Sequence, residues 1–531
     1  MPTYESDVCI IGSGISAAML AEKLLEKRPS LAITVVEAGK SLFDASNRIT
    51  YRQRALDYGE NSWPDDLIED QICEGIICQT MAVGGQALKW GGACNRFSRE
   101  DLRLKSMYGL ATDWPIEWDD LERAYCEAER RLHTSGEPSP YLEDKRSEPY
   151  PAPPFPMGYN TQVLRAWADQ SGLKWTVLPV SRNQERTPDG RGVCCVFDTC
   201  TLVCPPGARY SPDWTFKKLL AEKKIVLHDK TLVRKLALDD AKTTIAAAMG
   251  AHQDRPNEIA EYRARIFVLA AGYAWSPHLL LLSACSRFPN GLANSSGLAG
   301  RYMNGHKFLS AQATIDLQLY GGLDEADSLL SREYMRCPTD KPFVRHDVRV
   351  WESTAGKRPR LKDGSGRSLF GDDLMQDWQA RVKGGSVRLR CYYDVHPSAD
   401  SRLTLDPARK NRYGDPLPKI EHRFDEATIG REERVRQHIT SVWERLTNAG
   451  GGKFFDVTPS TYLDHPGGGC RMGTDPATSV CDSFGRIWDH ENLFVVGSPT
   501  TPTGGCINGT LTFVALALRS GDRILEAIGG H

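Results

Sequence analysis

Four cysteines lie within one short segment of the chain: Cys194, Cys195, Cys200 and Cys204. Thiolates are soft ligands that favour an iron–sulfur cluster or zinc. The spacing C-x5-C-x3-C, followed by proline, lets a single loop wrap one centre, and it lacks the C-x2-C pairs of common zinc sites. The segment therefore favours an iron–sulfur cluster, with a disulfide or buried thiols as the alternative.

A glycine turn near the start of the chain is a second candidate binding site. Gly12-Ser13-Gly14-Ile15-Ser16-Ala17 fits the pattern G-x-G-x-x-A. In this pattern Gly12 permits a tight turn, Gly14 lets the backbone approach a pyrophosphate, and Ala17 lets the helix pack on the strand. Glu37 follows about 20 residues later, where an acid binds the ribose hydroxyls. The turn predicts a dinucleotide site, FAD or NAD, over a glycine turn without a ligand.

The elements around these residues can be placed by their periodicity. An apolar strand at 8–11, a helix that ends at Pro29 and a strand at 33–36 give a β-turn-α-β unit. The polar region from about Gly321 to Phe424 predicts a separate, largely antiparallel sheet. A strand at 493–496 precedes a long helix that begins near Gly509, with its apolar residues on one face: Leu511, Val514, Ala515 and Leu518.

The composition limits the number of domains, the class of partner and the use of the cysteines. A chain of 531 residues predicts two to four domains. Lys plus Arg total 66 and Asp plus Glu total 68, which argues against nucleic acid as a partner. No apolar run is long enough to span a bilayer, and Met1–Asp7 has no basic region before an apolar one, so we expect no secretory signal of its own. Fifteen cysteines, an odd number, argue against a disulfide framework.

One segment identifies a family. Ala82-Val83-Gly84-Gly85-Gln86-Ala87-Leu88-Lys89-Trp90-Gly91-Gly92 resembles the second flavin-binding segment of the glucose–methanol–choline (GMC) oxidoreductases. Residues 269–277, 291–301 and 465–525 resemble the family as well, so the resemblance covers nearly the whole chain and is weakest between about 321 and 390. Asp113-Trp114-Pro115-Ile116 and the cysteine segment look like the catalytic subunits of bacterial membrane-associated sugar dehydrogenase complexes.

The resemblance implies an α/β fold and FAD as the cofactor. We expect a discontinuous Rossmann-like FAD-binding domain at 1–105, 190–310 and 462–531, and a substrate domain built on an antiparallel sheet at 106–189 and 311–461. Some members attach the flavin through a histidine where this chain has Lys89-Trp90, so the FAD is expected to be non-covalent. The further cofactor contacts that the resemblance implies are Gly84, Gly85, Gly91, Gly92, Val233, Gly497, Ser498, Gly509 and Thr510.

The segment His465–Gly473 resembles the family's active-site histidine segment, and Asn508 follows 43 residues after His465. An alcohol gives up hydride only as its hydroxyl proton leaves, and a neutral histidine can accept that proton. Asn508 can hydrogen-bond the same oxygen. The alternatives are a structural histidine in a glycine loop and a plain asparagine N-cap. His306 is interpreted as structural.

By the same resemblance, Cys194, Cys200 and Cys204 hold a three-iron [3Fe-4S] cluster and Cys195 is spare. The expected activity is oxidation of a CH–OH group of a sugar, glycoside or sugar acid, with electrons passing through the cluster to a cytochrome. A small partner with a twin-arginine signal would export the chain to the periplasm; otherwise it stays cytoplasmic. The rival functions are an oxidase that uses oxygen and a flavin electron carrier without substrate chemistry.

Overall fold

The computed structural model describes residues 1–42, 48–50, 53, 69–70, 80–141, 146–196, 203–239, 243–321, 328–336, 343–354, 360–382, 384–423, 426–449 and 451–529. The helices within these ranges are α1 Ile15–Lys27, α2 Leu104–Tyr108, α3 Trp118–Leu132, α4 Tyr159–Ala168, α5 Pro212–Ala221, α6 Gly272–Leu282, α7 Gly371–Val382, α8 Glu426–Ala449 and α9 Thr510–Gly529. None of these helices is long and apolar enough to cross a membrane.

The strands in the same ranges are β1 Thr3–Ile11, β2 Ile33–Val36, β3 Glu69–Asp70, β4 Thr176–Val177, β5 Ile225–His228, β6 Thr231–Leu238, β7 Ile245–His252, β8 Arg255–Leu269, β9 Asn304–Ile315, β10 Leu329–Ser331, β11 Val348–Glu352, β12 Gly385–Asp394, β13 Arg402–Lys410, β14 Pro416–Glu421, β15 Lys453–Phe454, β16 Thr458–Pro459, β17 Asp464–Gly467 and β18 Leu493–Val495. They form sheets of seven, eight and three strands.

The seven-stranded sheet carries the glycine turn. Its order is β5-β2-β1-β8-β7-β6, with β18 beside the C-terminal half of β8, and β1 pairs in parallel with both β2 and β8. The outer half of β1 is exposed and its last four residues are buried, so the strand enters the core just before the turn. Helices α1 and α9 pack together over this core, and the predicted face of α9 is buried. The predicted β-turn-α-β unit is therefore confirmed.

The eight-stranded sheet is antiparallel, in the order β15-β9-β12-β11-β10-β4, with β16 and β17 also paired to β9. Apolar residues alternate along its strands, and they pack one face of the sheet against α4 and α8. The other face looks toward the glycine turn across a cavity. This confirms the predicted class, a Rossmann-like sheet with an antiparallel second sheet. The predicted domain boundaries stay a prediction; the one at 310 falls inside β9.

Candidate active site

A cavity of about 770 Å³ lies between the two sheets. It is lined by residues that the sequence predicted for the cofactor and the reaction: Gly12, Gly14, Glu37, Gly85, Lys89, Trp90, Gly91, Val233, His465, Ser498, Asn508 and Thr510. Five predicted positions do not line it, namely Ala17, Gly84, Gly92, Gly497 and Gly509. Segments that are far apart in the chain therefore converge on a single cavity.

The glycine turn is closely packed where β1 meets α1. Gly12 has a left-handed backbone with φ of +99°, and a Cβ atom there would lie 2.7 Å from the carbonyl oxygen of Ala270. Gly14 stands at the N-cap of α1, where helix amides have no partner within the helix. Ala17 is fully buried between α1 and the sheet, so it serves the packing role that the pattern predicts. The turn thus offers a backbone cradle at a helix N-terminus.

Glu37 closes the other side of this cradle. One carboxylate oxygen accepts hydrogen bonds from the amide of Ser13 at 2.9 Å and its hydroxyl at 2.6 Å, and the other accepts from the amide of Gly39 at 2.8 Å. Burial raises the pKa of Glu37, and these hydrogen bonds oppose that shift. The side chain is held at the end of β2 and still lines the cavity.

The second glycine segment lies directly against the first. Gly84 has φ of +112° and donates its amide to the Ser13 hydroxyl at 3.2 Å. A Cβ atom on Gly85 would stand 3.3 Å from the Cα of Gly14. The two segments pack backbone against backbone, and the cavity beside them is open. A flat cofactor with a pyrophosphate fits this cradle, because its walls are backbone rather than side chains.

The two candidate catalytic residues are in contact. Asn508 Nδ2 and His465 Nε2 are 3.1 Å apart, and Asn508 Oδ1 accepts a hydrogen bond from Asn95 at 2.9 Å. His465 has a left-handed backbone with φ of +48°, which costs a non-glycine residue of the order of 1 kcal/mol. Asn508 stands two residues before α9, so the helix presents it beside the histidine.

A chain of hydrogen bonds fixes which nitrogen of His465 carries the proton. His306 Nδ1 lies 3.1 Å from the Gly504 carbonyl oxygen, which can only accept, so this nitrogen is the donor. In the neutral ring His306 Nε2 is then an acceptor, and it receives the proton on His465 Nδ1 at 3.0 Å. His465 Nε2 is consequently left unprotonated, and its lone pair accepts the hydrogen bond that Asn508 Nδ2 donates at 3.1 Å at the cavity wall. This is the tautomer that a proton acceptor needs.

Electrostatics keep both histidines neutral. Burial, together with the repulsion that a protonated His465 would exert, lowers the pKa of His306 to about 3. Burial also lowers the pKa of His465; Asp464 raises it, whereas Arg349 and Arg390 lower it. Burial favours the neutral acid at Asp464, but attraction to the two histidines prevails, with Tyr392 as hydrogen-bond donor, and holds its pKa at about 2.

His306 was interpreted as structural from the sequence, and the structure places it in direct contact with His465. Strand pairing causes this contact, because Asp464 on β17 lies opposite His306 on β9. Asp464 and Tyr392 were not singled out, although Asp464 immediately precedes His465. The proximity of Asp464 is the one signal that the sequence alone carried; the other contacts depend on register.

The described cysteines of the cysteine segment are free thiols. Cys194 and Cys204 are half-buried and Cys195 is exposed, while Cys200 lies outside the described residues. Burial raises the pKa of Cys194; Arg182 opposes the shift and the neighbouring Cys204 adds to it. The Cys204 carbonyl accepts a hydrogen bond from Arg48 at 2.7 Å. Soft donors with two cations nearby suit an anionic metal–thiolate centre.

Residues that follow the cysteine segment contact the second glycine segment. Trp90 donates its indole N–H to the Tyr210 carbonyl at 2.8 Å, and Arg209 donates to the Leu88 carbonyl at 2.7 Å. Tyr210 and Arg209 follow Cys204 by only a few residues. The chain just after Cys204 therefore lies next to the wall of the cavity.

Comparison with known proteins decides the family. Two family models, both described as GMC oxidoreductase, match residues 76–294 and 397–517, which together make up more than half of the chain. The chain belongs to the GMC oxidoreductase family. It is therefore an FAD-dependent oxidoreductase that acts on CH–OH donors.

Relatives within the GMC family match almost end to end. The fructose dehydrogenase large subunit of Gluconobacter japonicus is 29% identical over 99% of this chain and 98% of its own length. The 6'''-hydroxyparomomycin C oxidase of Streptomyces lividus is 28% identical over 99% of this chain and 91% of its own length. The gluconate 2-dehydrogenase flavoprotein of Pantoea cypripedii is 23% identical over 98% of this chain and 93% of its own length. Pyridoxine 4-oxidase from Mesorbium loti has the same fold, with a TM-score of 0.66 at 18% identity over 98% of this chain and 99% of that one.

Proposed function

We propose that this GMC oxidoreductase is a dehydrogenase that oxidises a CH–OH group of a sugar, glycoside or sugar acid. The observation that carries the proposal is the unprotonated Nε2 of His465, which lines the cavity and accepts a hydrogen bond from the Asn508 amide, a bond that a substrate hydroxyl would replace. The names of the relatives support the substrate class, because they include a fructose dehydrogenase and a gluconate 2-dehydrogenase.

The residues of the chain would divide the work of alcohol oxidation. His465 Nε2 accepts the hydroxyl proton, and the positive charge that forms on its ring is stabilised by Asp464 at 3.4 Å. Asn508 donates to the substrate oxygen and so orients the carbon that loses hydride. The bound FAD supplies a hydride acceptor at N5. Thr510, at the start of α9, brings the positive end of the helix dipole to the cavity, where it favours negative charge.

The route by which electrons leave is a second part of the proposal. Cys194, Cys200 and Cys204 would hold a [3Fe-4S] cluster, with Cys195 spare. Such a cluster supplies one-electron transfer, which suits a cytochrome as the acceptor. The contacts of Arg209 and Tyr210 with the second glycine segment support a cluster near the flavin. Exposure of Cys195, in contrast to its half-buried neighbour, supports its exclusion from the ligand set.

The rival function is an oxidase, and oxidases occur among the relatives. The two functions differ in the electron acceptor. Purified enzyme would be mixed with a panel of sugars, glycosides and sugar acids, first with an artificial acceptor dye and then with oxygen alone. A dehydrogenase reduces the dye rapidly and forms little peroxide. Peroxide formation at the same rate as dye reduction would establish the oxidase instead, and failure of the whole panel to bleach the flavin would refute the proposed substrate class.

Localisation follows from the proposed acceptor. We expect export to the periplasm together with a small partner that carries a twin-arginine signal, or else residence in the cytoplasm. Cells that express the chain with and without such a small partner would be fractionated. Enzyme in the periplasm without any partner would contradict export by that route.

A further inference from the structure

Three arginines face the cavity from the antiparallel sheet. Arg349 on β11 pairs directly with Arg390 on β12, and Trp351 pairs with Arg388. Because side chains alternate along strands, these residues share one face of the sheet. The residues that alternate with them pack into the core on the other face: Val348, Val350, Val387 and Leu389. Like charges directly opposite each other destabilise a sheet. An arrangement that costs stability beside the reacting histidine indicates a ligand for those charges.

Compensation of these charges within the protein is incomplete. Arg349 is only 5% exposed; its Nε donates to Asp347 at 2.6 Å, but its buried Nη2 has no hydrogen-bond partner among the described residues. Arg390 donates from Nη1 to the Tyr392 hydroxyl at 3.3 Å, and its buried Nε likewise lacks a partner within the described ranges. Arg388 forms no ion pair or hydrogen bond with any residue that the structure describes.

Aromatic rings hold the guanidinium groups in position. Arg390 lies 4.2 Å from the ring centre of Phe308 and 5.0 Å from that of Trp351, and Arg388 lies 5.8 Å from Trp351. Arg349 lies 4.4 Å from the ring of Tyr392. Such contacts fix an arginine without neutralising its charge.

The arginines belong to the reacting end of the cavity. Arg390 bonds Tyr392, whose hydroxyl bonds Asp464 at 2.7 Å, and Asp464 adjoins His465. Asp347 pairs with Arg349, and both oxygens of Asp464 are occupied, one by Tyr392 and one by the backbone amide of His465. An anion bound by Arg388 and Arg390 would therefore lie beside the alcohol that His465 deprotonates.

We propose that Arg349, Arg388 and Arg390 bind an anionic group on the substrate, a carboxylate or a phosphate, so that the preferred substrate is a sugar acid or sugar phosphate rather than a neutral sugar. This rests on the proposed function. Guanidinium forks match the oxygens of both anions. A neutral hydroxyl would leave the buried Nη2 of Arg349 and Nε of Arg390 without an anionic partner.

The test uses the FAD-loaded enzyme with two matched sets of probes. Gluconate and glucuronate represent carboxylates, glucose 6-phosphate represents phosphates, and glucose and fructose are the neutral counterparts. Binding is measured by calorimetry, and flavin reduction by anaerobic stopped flow. The variants are Arg388→Gln and Arg390→Gln. Arg263→Gln on β8 of the seven-stranded sheet is the charge-matched control, because its side chain pairs with Glu261 at the surface and does not line the cavity.

Each glutamine variant should weaken binding and raise KM for the anionic probes by about 10- to 100-fold, the scale of a hydrogen bond to a charged group. The loss for neutral probes should be at least about tenfold smaller, and the control should match the wild type. The preferred anion distinguishes carboxylate from phosphate. Equal losses for neutral and anionic probes would overturn the proposal and assign the arginines to the flavin.

Two further outcomes separate this inference from the proposed function. If neutral sugars reduce the flavin and no anion binds or competes, the anion site is refuted while the dehydrogenase survives. If no probe reduces the flavin, the proposed function fails; the calorimetry then still decides, because anion binding that disappears in both variants upholds the site and its absence refutes it.

Discussion

At the scale of single residues, His465 is the group whose loss should be most costly. His465→Ala removes the proton acceptor but none of the described contacts of the glycine turn, so FAD should remain bound. The rate of flavin reduction should fall by about 10² or more, the usual scale for a lost general base. Stopped-flow absorbance at the flavin band measures this rate. A variant that reduces its flavin at the normal rate would remove His465 from the mechanism.

The pH dependence of the wild-type rate follows from the same residue. The base must be neutral to accept a proton, and the pKa of His465 is lowered from 6.5, first by burial and then by Arg349 and Arg390 against the opposing effect of Asp464. The rate of flavin reduction should therefore stay high as the pH falls to 6.5 and decline only below it. An acidic limb centred above pH 6.5 would contradict the assignment.

His306 positions the base through the proton on His465 Nδ1. An amide can imitate both of its hydrogen bonds, donating to the Gly504 carbonyl and accepting from His465, whereas leucine can do neither. His306→Leu should lower flavin reduction by about tenfold, the scale of one buried hydrogen bond, and distort the pH profile. His306→Asn should recover part of the rate. Equal rates and unchanged profiles in the two variants would reduce His306 to a packing role.

At the scale of elements, the turn between β1 and α1 should be intolerant of a side chain. Gly12→Ala would force a Cβ atom to 2.7 Å from the Ala270 carbonyl at a left-handed φ. FAD affinity should fall by about tenfold or more, measured by flavin fluorescence during titration of the apoenzyme. Gly158→Ala is the control, because Gly158 caps α4 with an ordinary φ of −67° and has open space around it. Equal FAD affinity in both variants would show that the turn does not hold the cofactor.

The cysteine segment makes a different kind of prediction, since three of its thiols are expected to act together. Cys200→Ser should lose the cluster while retaining FAD and substrate-driven flavin reduction, but transfer to a cytochrome should fail. Cys195→Ser, at the exposed thiol, should be much milder. Iron and sulfide analysis with electron paramagnetic resonance gives the readout. Anaerobically purified protein that contains zinc, or no metal, would refute the relay.

At the scale of the whole molecule, buried histidines should make the fold sensitive to acid. Burial lowers the pKa of His346 to about 3 and that of His278 to about 4, from 6.5. As the pH falls, these histidines bind protons in the unfolded chain before they do so in the folded protein. Their contribution to the free energy of unfolding is therefore complete above pH 6.5, and below it each histidine loses about 1.4 kcal/mol per pH unit.

A variant can isolate one of these histidines. His346→Gln removes a group that lies outside the cavity lining and donates to the Val344 carbonyl. The thermal midpoint of the FAD-saturated variant should fall less between pH 7 and pH 5 than that of the wild type. An identical slope in the two proteins would contradict the assignment of acid sensitivity to buried neutral histidines.

The sequence by itself determined the parts of this protein that depend on local pattern. The run from Gly12 to Ala17, followed by Glu37, predicted the turn and its strand–helix context, because tight turns need particular residues at fixed offsets. The segments around Gly84, His465 and Asn508 identified the family, and the last two predicted the candidate catalytic pair that the structure brings into contact. The end of α1 and the start of α9 were predicted to within about two residues, since helix periodicity and punctuation are also local signals.

Tertiary structure alone decided which distant residues meet. His306 and His465 are 159 residues apart and touch because β9 pairs with β17. Arg349 and Arg390 face each other because of the register of β11 with β12. A shift of one residue would turn either side chain to the other face of the sheet. Register is set by the packing of both faces at once, so it is a property of the assembled sheet that no single segment encodes.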